Sequence, residues 1–218
     1  MEGGPQADIS SGDWSLGDLL KRAIDIVIAV TALIFFGPLM LLIGLAIRLD
    51  DGGPALFAHP RVGRDGSPFP CLKFRTMARD APARLKAHLA QNAEARREWE
   101  QMRKLTNDPR ITRLGKFLRI SSLDELPQLI NILRGEMSIV GPRPIVSEER
   151  FRYGRYFVHY CRLKPGLTGL WQVSGRNGTT YRRRVALDVR YYRARSIRLD
   201  LWIIMRTVPV VLAREGAH

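Results

Sequence analysis

Hydrophobic residues dominate from Ile26 to Ile47, between the basic Lys21-Arg22 and Arg48. Residues 26–47 are 22 consecutive positions without a charge, and at about 1.5 Å per helical residue they are long enough to cross a hydrocarbon core about 30 Å thick. Gly37-Pro38 stands at the middle of the run. Proline removes an intrahelical hydrogen bond and clashes with the preceding turn, which predicts a break at these two residues. Both flanks are basic, with Lys21 and Arg22 before the run and Arg48, Arg61 and Arg64 after it, so the positive-inside rule orients neither end. Two topologies fit this pattern: a kinked helix that spans, and a broken one that enters, bends at Pro38 and returns to the same face.

Asp51-Gly52-Gly53-Pro54 ends the run, and the pattern then changes period. Residues 55–62 and 69–74 read as two extended arms around a turn at 63–67, a β-hairpin whose alternation sends Lys73 and Arg75 to one face. Residues 80–105 carry only thinly spaced apolar positions and predict one long, exposed helix without chemistry. A turn at Asp108-Pro109-Arg110 leads into a short basic helix over 113–119. Ser122 followed by Glu125, ahead of Leu126, Leu129, Ile130, Ile132 and Leu133, has the form of a capping box opening an amphipathic helix. Pro127 is tolerated in a first turn. The helix should stop at Gly135, before a short apolar segment and Gly141-Pro142-Arg143-Pro144.

Residues 147–160 predict a charged helix bearing aromatics, 164–169 a loop, and 171–177 a polar, glycine-flanked turn carrying Arg176, suited to close approach by a nucleotide. Arginine and tyrosine crowd residues 181–198, and 197–212 turn apolar around Trp202, as in amphipathic elements lying on an anionic bilayer surface. The fold class expected is α+β and mainly helical, with a small hairpin and interfacial helices. Its parts are a disordered tail at 1–18, a membrane helix at 19–50 broken at 37–38, a membrane-surface domain at 51–212 and a tail at 213–218. The glycine- and serine-rich beginning has no charged region leading into a cleavage site, so no signal peptide is expected.

Composition narrows the partners. The 218 residues suit one moderate domain, and 35 Lys plus Arg against 21 Asp plus Glu leave a formal charge of +14. Nucleic acid, acidic lipid and phosphorylated small molecules all answer to that charge. The basic residues are spread rather than gathered on one recognition element, and a nucleic-acid binder explains neither the uncharged insertion nor an acidic helix start. Cys71 and Cys161 have no metal or redox spacing and read as free, buried thiols.

Asp124 and Glu125 fall at a helix start, where free amides and the dipole favour negative charge, so ionised carboxylates are expected. Such pairs are commonly ordinary first-turn residues. Two prolines hold the backbone around Arg143, however, and present its guanidinium as a phosphate clamp would require. Lys73 and Arg75 together could hold a diphosphate or a lipid phosphate, or could be a solvated basic edge.

The string SLDELPQLINILRGEMSIVGPRP, with Lys73-Phe74-Arg75-Thr76-Met77, Asn107-Asp108-Pro109-Arg110-Ile111-Thr112 and Lys164-Pro165-Gly166-Leu167-Thr168-Gly169-Leu170-Trp171-Gln172, resembles the bacterial sugar transferase family over residues 19–212. The resemblance is to its small monotopic phosphoglycosyl transferases, which start glycan assembly on a polyprenyl phosphate. It implies a re-entrant helix at the cytoplasmic face of the bacterial inner membrane. It also implies transfer of hexose 1-phosphate from a UDP-sugar, galactose or glucose, to undecaprenyl phosphate for exopolysaccharide synthesis, with Mg²⁺ as cofactor. Asp124 would be the nucleophile and Glu125 the magnesium ligand. Lys73, Arg75 and Arg143 would bind phosphate; Asp108, Arg110, Arg176 and Asp188 would be further nucleotide or lipid-phosphate contacts, with an ion pair to Arg184 the plainer use of Asp188. The sequence departs from the family in having Gly37 before the proline and Ala194-Arg195-Ser196 where Asn-Trp-Ser is common. The rival class is a non-catalytic scaffold on the membrane surface, for which charge and amphipathic ends suffice. Assembly into a homo-oligomer is left open.

Overall fold

The computed structural model describes residues 16–175 and 180–212. The N-terminal tail expected to be disordered, apart from residues 16–18, the tail at 213–218 and the Arg176 contact lie outside them. The chain opens with α1 (Leu16–Asp51), long and apolar enough by length and composition to cross a membrane. Gly37-Pro38 is not a break in its secondary structure: Pro38 sits inside one continuous helix. Residues 16–18, assigned above to the tail, already belong to it.

The hairpin follows as expected, with β1 (Leu56–Val62) antiparallel to β2 (Pro68–Phe74). The expected long helix is instead two, α2 (Ala81–Gln91) and α3 (Ala93–Met102). Asn92 divides them: its backbone is extended (φ −127°) and its side chain accepts from the Ala95 amide at 3.0 Å, a helix cap in mid-sequence. Then come α4 (Arg113–Ile120), capped by Thr112, a 3-10 turn (Leu123–Glu125) and α5 (Gln128–Arg134), closed by Gly135 at φ 82°. The helix expected over 147–160 is likewise broken, into α6 (Arg150–Tyr153) and α7 (Phe157–Cys161), with Gly154 at φ 49° between. A basic, tyrosine-bearing helix, α8 (Tyr181–Ala194), and a largely apolar one bearing Trp202, α9 (Ile197–Leu212), complete the described chain.

A parallel pair missing from the sequence reading lies at the centre. β3 (Ser138–Val140) pairs with β4 (Gly166–Thr168), aligning Ser138 with Gly166 and Val140 with Thr168. These strands are three residues long, too short to display alternation. Their closeness requires Gly141, since a Cβ there would meet the Lys164 carbonyl oxygen at 2.3 Å. The main core surrounds this pair and includes Ala29, Leu129, Ile132, Met137, Ile139, Tyr191 and Ile203.

Helix α1 is fastened to this body at both ends. Near its start, Lys21 reaches the Asp200 carboxylate at 2.6 Å and the Val140 carbonyl at 3.2 Å. Arg22 donates to the Ile132 and Leu133 carbonyls at the end of α5, at 2.6 and 3.0 Å. Buried Asp25 accepts from Ser138 Oγ and the Ile139 amide, at 3.1 and 3.0 Å. At the other end Arg75 pairs with Asp51, while Ile43 and Ile47 pack with Phe74 and Leu118. Ile34, Phe35, Leu41 and Leu42 in between stand exposed. So do Trp202, Met205 and Val208 on α9, whose Ile203 is fully buried.

Candidate active site

The acidic pair is placed by the end of one helix, not by the start of the next. Ser121 is the C-cap of α4, and Ser122 adopts the left-handed conformation (φ 57°) that turns the chain out of it. Its side chain makes no cap bond, so the expected capping box does not form. Only Ser121 and Ser122 separate α4 from the 3-10 turn, and Ser122 is used in stopping the first helix. Asp124 and Glu125 sit in that tight turn, and α5 begins only at Gln128.

Burial decides the electrostatics of Asp124. It is 8% exposed, and desolvation, with Glu125 adding like charge, pushes its carboxyl up to about 6; Lys73 and Arg119 pull the other way. The pair therefore departs from two ordinary ionised carboxylates at a helix start. Lys73 Nζ lies 2.6 Å from Glu125 Oε1 and 3.8 Å from Asp124 Oδ2, so the hairpin cation and both acids form one cluster.

Two residues absent from the sequence reading hold this cluster in place. Asn131, fully buried on α5, accepts from the Leu72 amide at 2.9 Å and donates to the Pro70 carbonyl at 2.7 Å. It fastens the strand bearing Lys73 to the helix that follows the acids. The available signal was one amide within the apolar stripe Leu129–Ile130–Ile132–Leu133. Arg119, on the last turn of α4, donates to Thr76 Oγ1 at 2.9 Å and faces both Asp124 and Asp108. Helix α4 approaches Thr76 closely because position 115 is glycine; a Cβ there would lie 2.0 Å from the Thr76 carbonyl oxygen.

The other expected site residues divide. Arg75 does not join Lys73: β2 ends at Phe74, and beyond it Arg75 turns to Asp51 and to the Ile47 carbonyl at 3.4 Å, fastening α1. Asp108 and Arg110 bind each other, through Arg110 Nε at 2.8 Å and Nη2 at 2.6 Å, beneath Trp99. Burial raises the Asp108 carboxyl, yet the bonds from Arg110 outweigh it and hold the group below its usual range. Arg143 is exposed, with its guanidinium 5.5 Å from the Trp171 ring. Asp188 is buried, accepts from Tyr153 Oη at 2.7 Å and is pushed up to about 6 by that burial. It is thus not part of a helix-surface ion pair; the carboxylate nearest Arg184 in an ion pair is Glu149, at 4.0 Å. Both thiols are free, and burial pushes Cys71 up to about 11, leaving it protonated.

A family model described as "Bacterial sugar transferase" matches residues 16–214. The chain belongs to the bacterial sugar transferase family. Among its relatives is "Exopolysaccharide production protein ExoY" of Rhizobium meliloti, 47% identical over 203 residues, which are 93% of this chain and 90% of that protein. The "Undecaprenyl-phosphate galactose phosphotransferase" of Salmonella typhimurium is 51% identical over 199 residues, 91% of this chain but 42% of its own. The "UDP-glucose:undecaprenyl-phosphate glucose-1-phosphate transferase" of Caulobacter vibrioides is 42% identical over 211 residues, 92% of this chain and 73% of its own. The chain thus spans nearly all of one such relative and less than half of another.

In this bacterial sugar transferase the arrangement offers one inward carboxylate, one more open carboxylate and a lysine shared between them. Side-chain exposure is 12% for Asp124 and 36% for Glu125. Among the described residues no three His, Cys, Asp or Glu side chains gather to enclose a metal. Magnesium is commonly held by one or two carboxylates together with substrate phosphates, and the open Glu125 beside Asp124 fits that kind of site.

Proposed function

We propose that this chain transfers hexose 1-phosphate from UDP-galactose or UDP-glucose to undecaprenyl phosphate in two steps, through a phospho-sugar carried on Asp124. The observation that carries this reading is a buried carboxylate, raised to about 6, sharing Lys73 with a half-buried neighbour in a 3-10 turn. At neutral pH such a group is mostly ionised and only weakly solvated, which suits a nucleophile. An Asp124 oxygen attacks the sugar-proximal phosphorus. The bond from that phosphorus to the oxygen bridging to the other phosphate breaks, and UMP departs with the electron pair. A phosphate oxygen of the lipid then attacks the same phosphorus and releases the Asp124 carboxylate, leaving a polyprenyl diphosphate sugar.

Lys73 and Arg143 would stabilise charge on the phosphoryl oxygens, and Asn131 and Arg119 keep the reacting groups in register. Glu125 would hold Mg²⁺ against the diphosphate, and the ion would supply charge neutralisation for the departing UMP. Arg75 is assigned to fastening α1 rather than to substrate.

The same reading places the chain monotopically on the cytoplasmic face of the inner membrane. Helix α1 has 36 residues, about 54 Å if straight, yet Lys21 and Asp25 at one end and Asp51 at the other bind the same body. A helix crossing the bilayer would separate those ends by a leaflet or more. Attachment at both ends, with the apolar middle around Phe35 and Leu41 exposed, supports entry and return by a bend near Pro38. The exposed Trp202, Met205 and Val208 of α9 suit the interface.

The deciding test is UMP release from each UDP-hexose with Mg²⁺ but without lipid. About one UMP per enzyme is expected from the preferred sugar, and none after chelation with EDTA. Release that waits for lipid would sink the two-step route, and no release under any condition would favour the scaffold reading. The pH profile of this first step should fall on the acid side through about 6, because protonation removes the nucleophile. In Lys73→Met the ammonium that holds Asp124 down is gone, so its carboxyl rises and the acid limb should move to higher pH. A limb that stays in place would show that another group controls it.

A further inference from the structure

Trp171, Tyr181 and Arg184 meet outside the acidic cluster and leave an unusual set of donors unused. Arg184 is 7% exposed, and its guanidinium carbon lies 5.1 Å from the Trp171 ring centre and 5.0 Å from that of Tyr181. Among the described residues its Nε and Nη2 are buried without a hydrogen-bond partner, and so are Trp171 Nε1 and Tyr181 Oη. Its ion pair to Glu149 is long at 4.0 Å and made by Nη1. Buried donors without acceptors are costly, and folded proteins leave few of them. Here they fall on three side chains that meet, with a permanent cation among them.

The surroundings indicate what would satisfy them. Arg143 lies 5.5 Å from the same Trp171 ring, and Arg152 4.8 Å from the Tyr181 ring, so the approach is cationic. Arg143 is a residue proposed above to stabilise the phosphoryl oxygens, so Trp171 stands beside the phosphate end of the donor. The unused donors are distributed over three side chains, as a ligand with acceptors at both ends requires, whereas a lone phosphate needs them at one point. We infer that Trp171, Tyr181 and Arg184 form the subsite for the nucleoside monophosphate half of the donor, supplying hydrogen bonds to its phosphate and base oxygens. This rests on the proposed use of a UDP-sugar.

The test is calorimetric titration of the full chain in detergent with UMP, inorganic phosphate and a short-chain prenyl phosphate. Tyr181→Phe removes a hydroxyl that has no partner, so the melting temperature should not fall while UMP binding weakens about 3- to 10-fold. Arg184→Lys keeps the charge beside Asp188 but loses the fork, and UMP binding should weaken about tenfold or more. Losses confined to UMP support the subsite. Weaker prenyl phosphate binding with UMP unchanged would overturn it in favour of a lipid-phosphate site, and weakening of inorganic phosphate alone would leave no nucleotide subsite. Unchanged UMP binding in both variants overturns it while leaving the UDP-sugar reading intact. Wild-type protein that does not bind UMP would overturn both.

Discussion

Asp124→Asn should eliminate the lipid-independent burst of UMP and the hexose-phosphate mass adduct, slowing the first step at least about a thousandfold. The amide has the shape of the acid but no anionic oxygen to attack phosphorus. Stability should move differently from activity. Asp124 is a desolvated charge, with its carboxyl pushed up to about 6, so a neutral isostere relieves a burial cost, while Lys73 retains Glu125 at 2.6 Å. The melting temperature at pH 7.5 should therefore stay level or rise. Stopped-flow UMP detection and intact-mass analysis read the first effect, and thermal denaturation reads the second. A mutant that still forms the adduct would move the nucleophile to another residue; one that loses activity by unfolding would remove the electrostatic account of Asp124.

Asp200→Ala should cost about 3 kcal/mol, the largest stability loss expected from a change remote from the acidic pair. The Asp200 carboxylate accepts from Lys21 at 2.6 Å and from Tyr191 Oη at 2.7 Å, joining α1, α8 and α9. Truncation leaves a partly buried ammonium without its counter-charge and leaves the tyrosine with only the Val140 carbonyl, at 3.2 Å. Chemical denaturation in detergent measures the loss. Adding Lys21→Met should restore part of it, because the stranded charge is then removed as well. A double variant whose loss equals the sum of the Asp200→Ala and Lys21→Met losses would mean that the two residues are not coupled.

What could be read from the sequence follows the range of the interactions involved. The hairpin was legible because alternation and Gly63-Arg64-Asp65-Gly66-Ser67 act locally, and α4 because Thr112 caps it from the adjacent position. Asp124 and Glu125 were legible through their family motif and Lys73 through alternation, but the local physics of Ser122 was misread. A residue that both ends one helix and precedes another can serve only one, and here the left-handed turn prevailed. Arg75 follows the same alternation as Lys73, yet it lies one residue past the strand, where Asp51 competes for it. Asn131, Arg119 and the donors around Trp171 were invisible for another reason. Their partners lie 59 residues away for Asn131 and Leu72, and 43 for Arg119 and Thr76, and no local pattern encodes such pairings.

The fastening of α1 also sets an order on how the protein is made. Lys21 emerges early, but Asp200 follows 179 residues later. At about 5–20 residues per second, synthesis of that interval takes roughly 10–35 s. During this time the apolar helix is available to lipid while the residues that fasten its first turns do not yet exist. On the membrane-bound reading proposed above, entry of α1 into lipid would precede closure of the body, so synthesis that stalls before Asp200 would leave an anchored but unclosed chain.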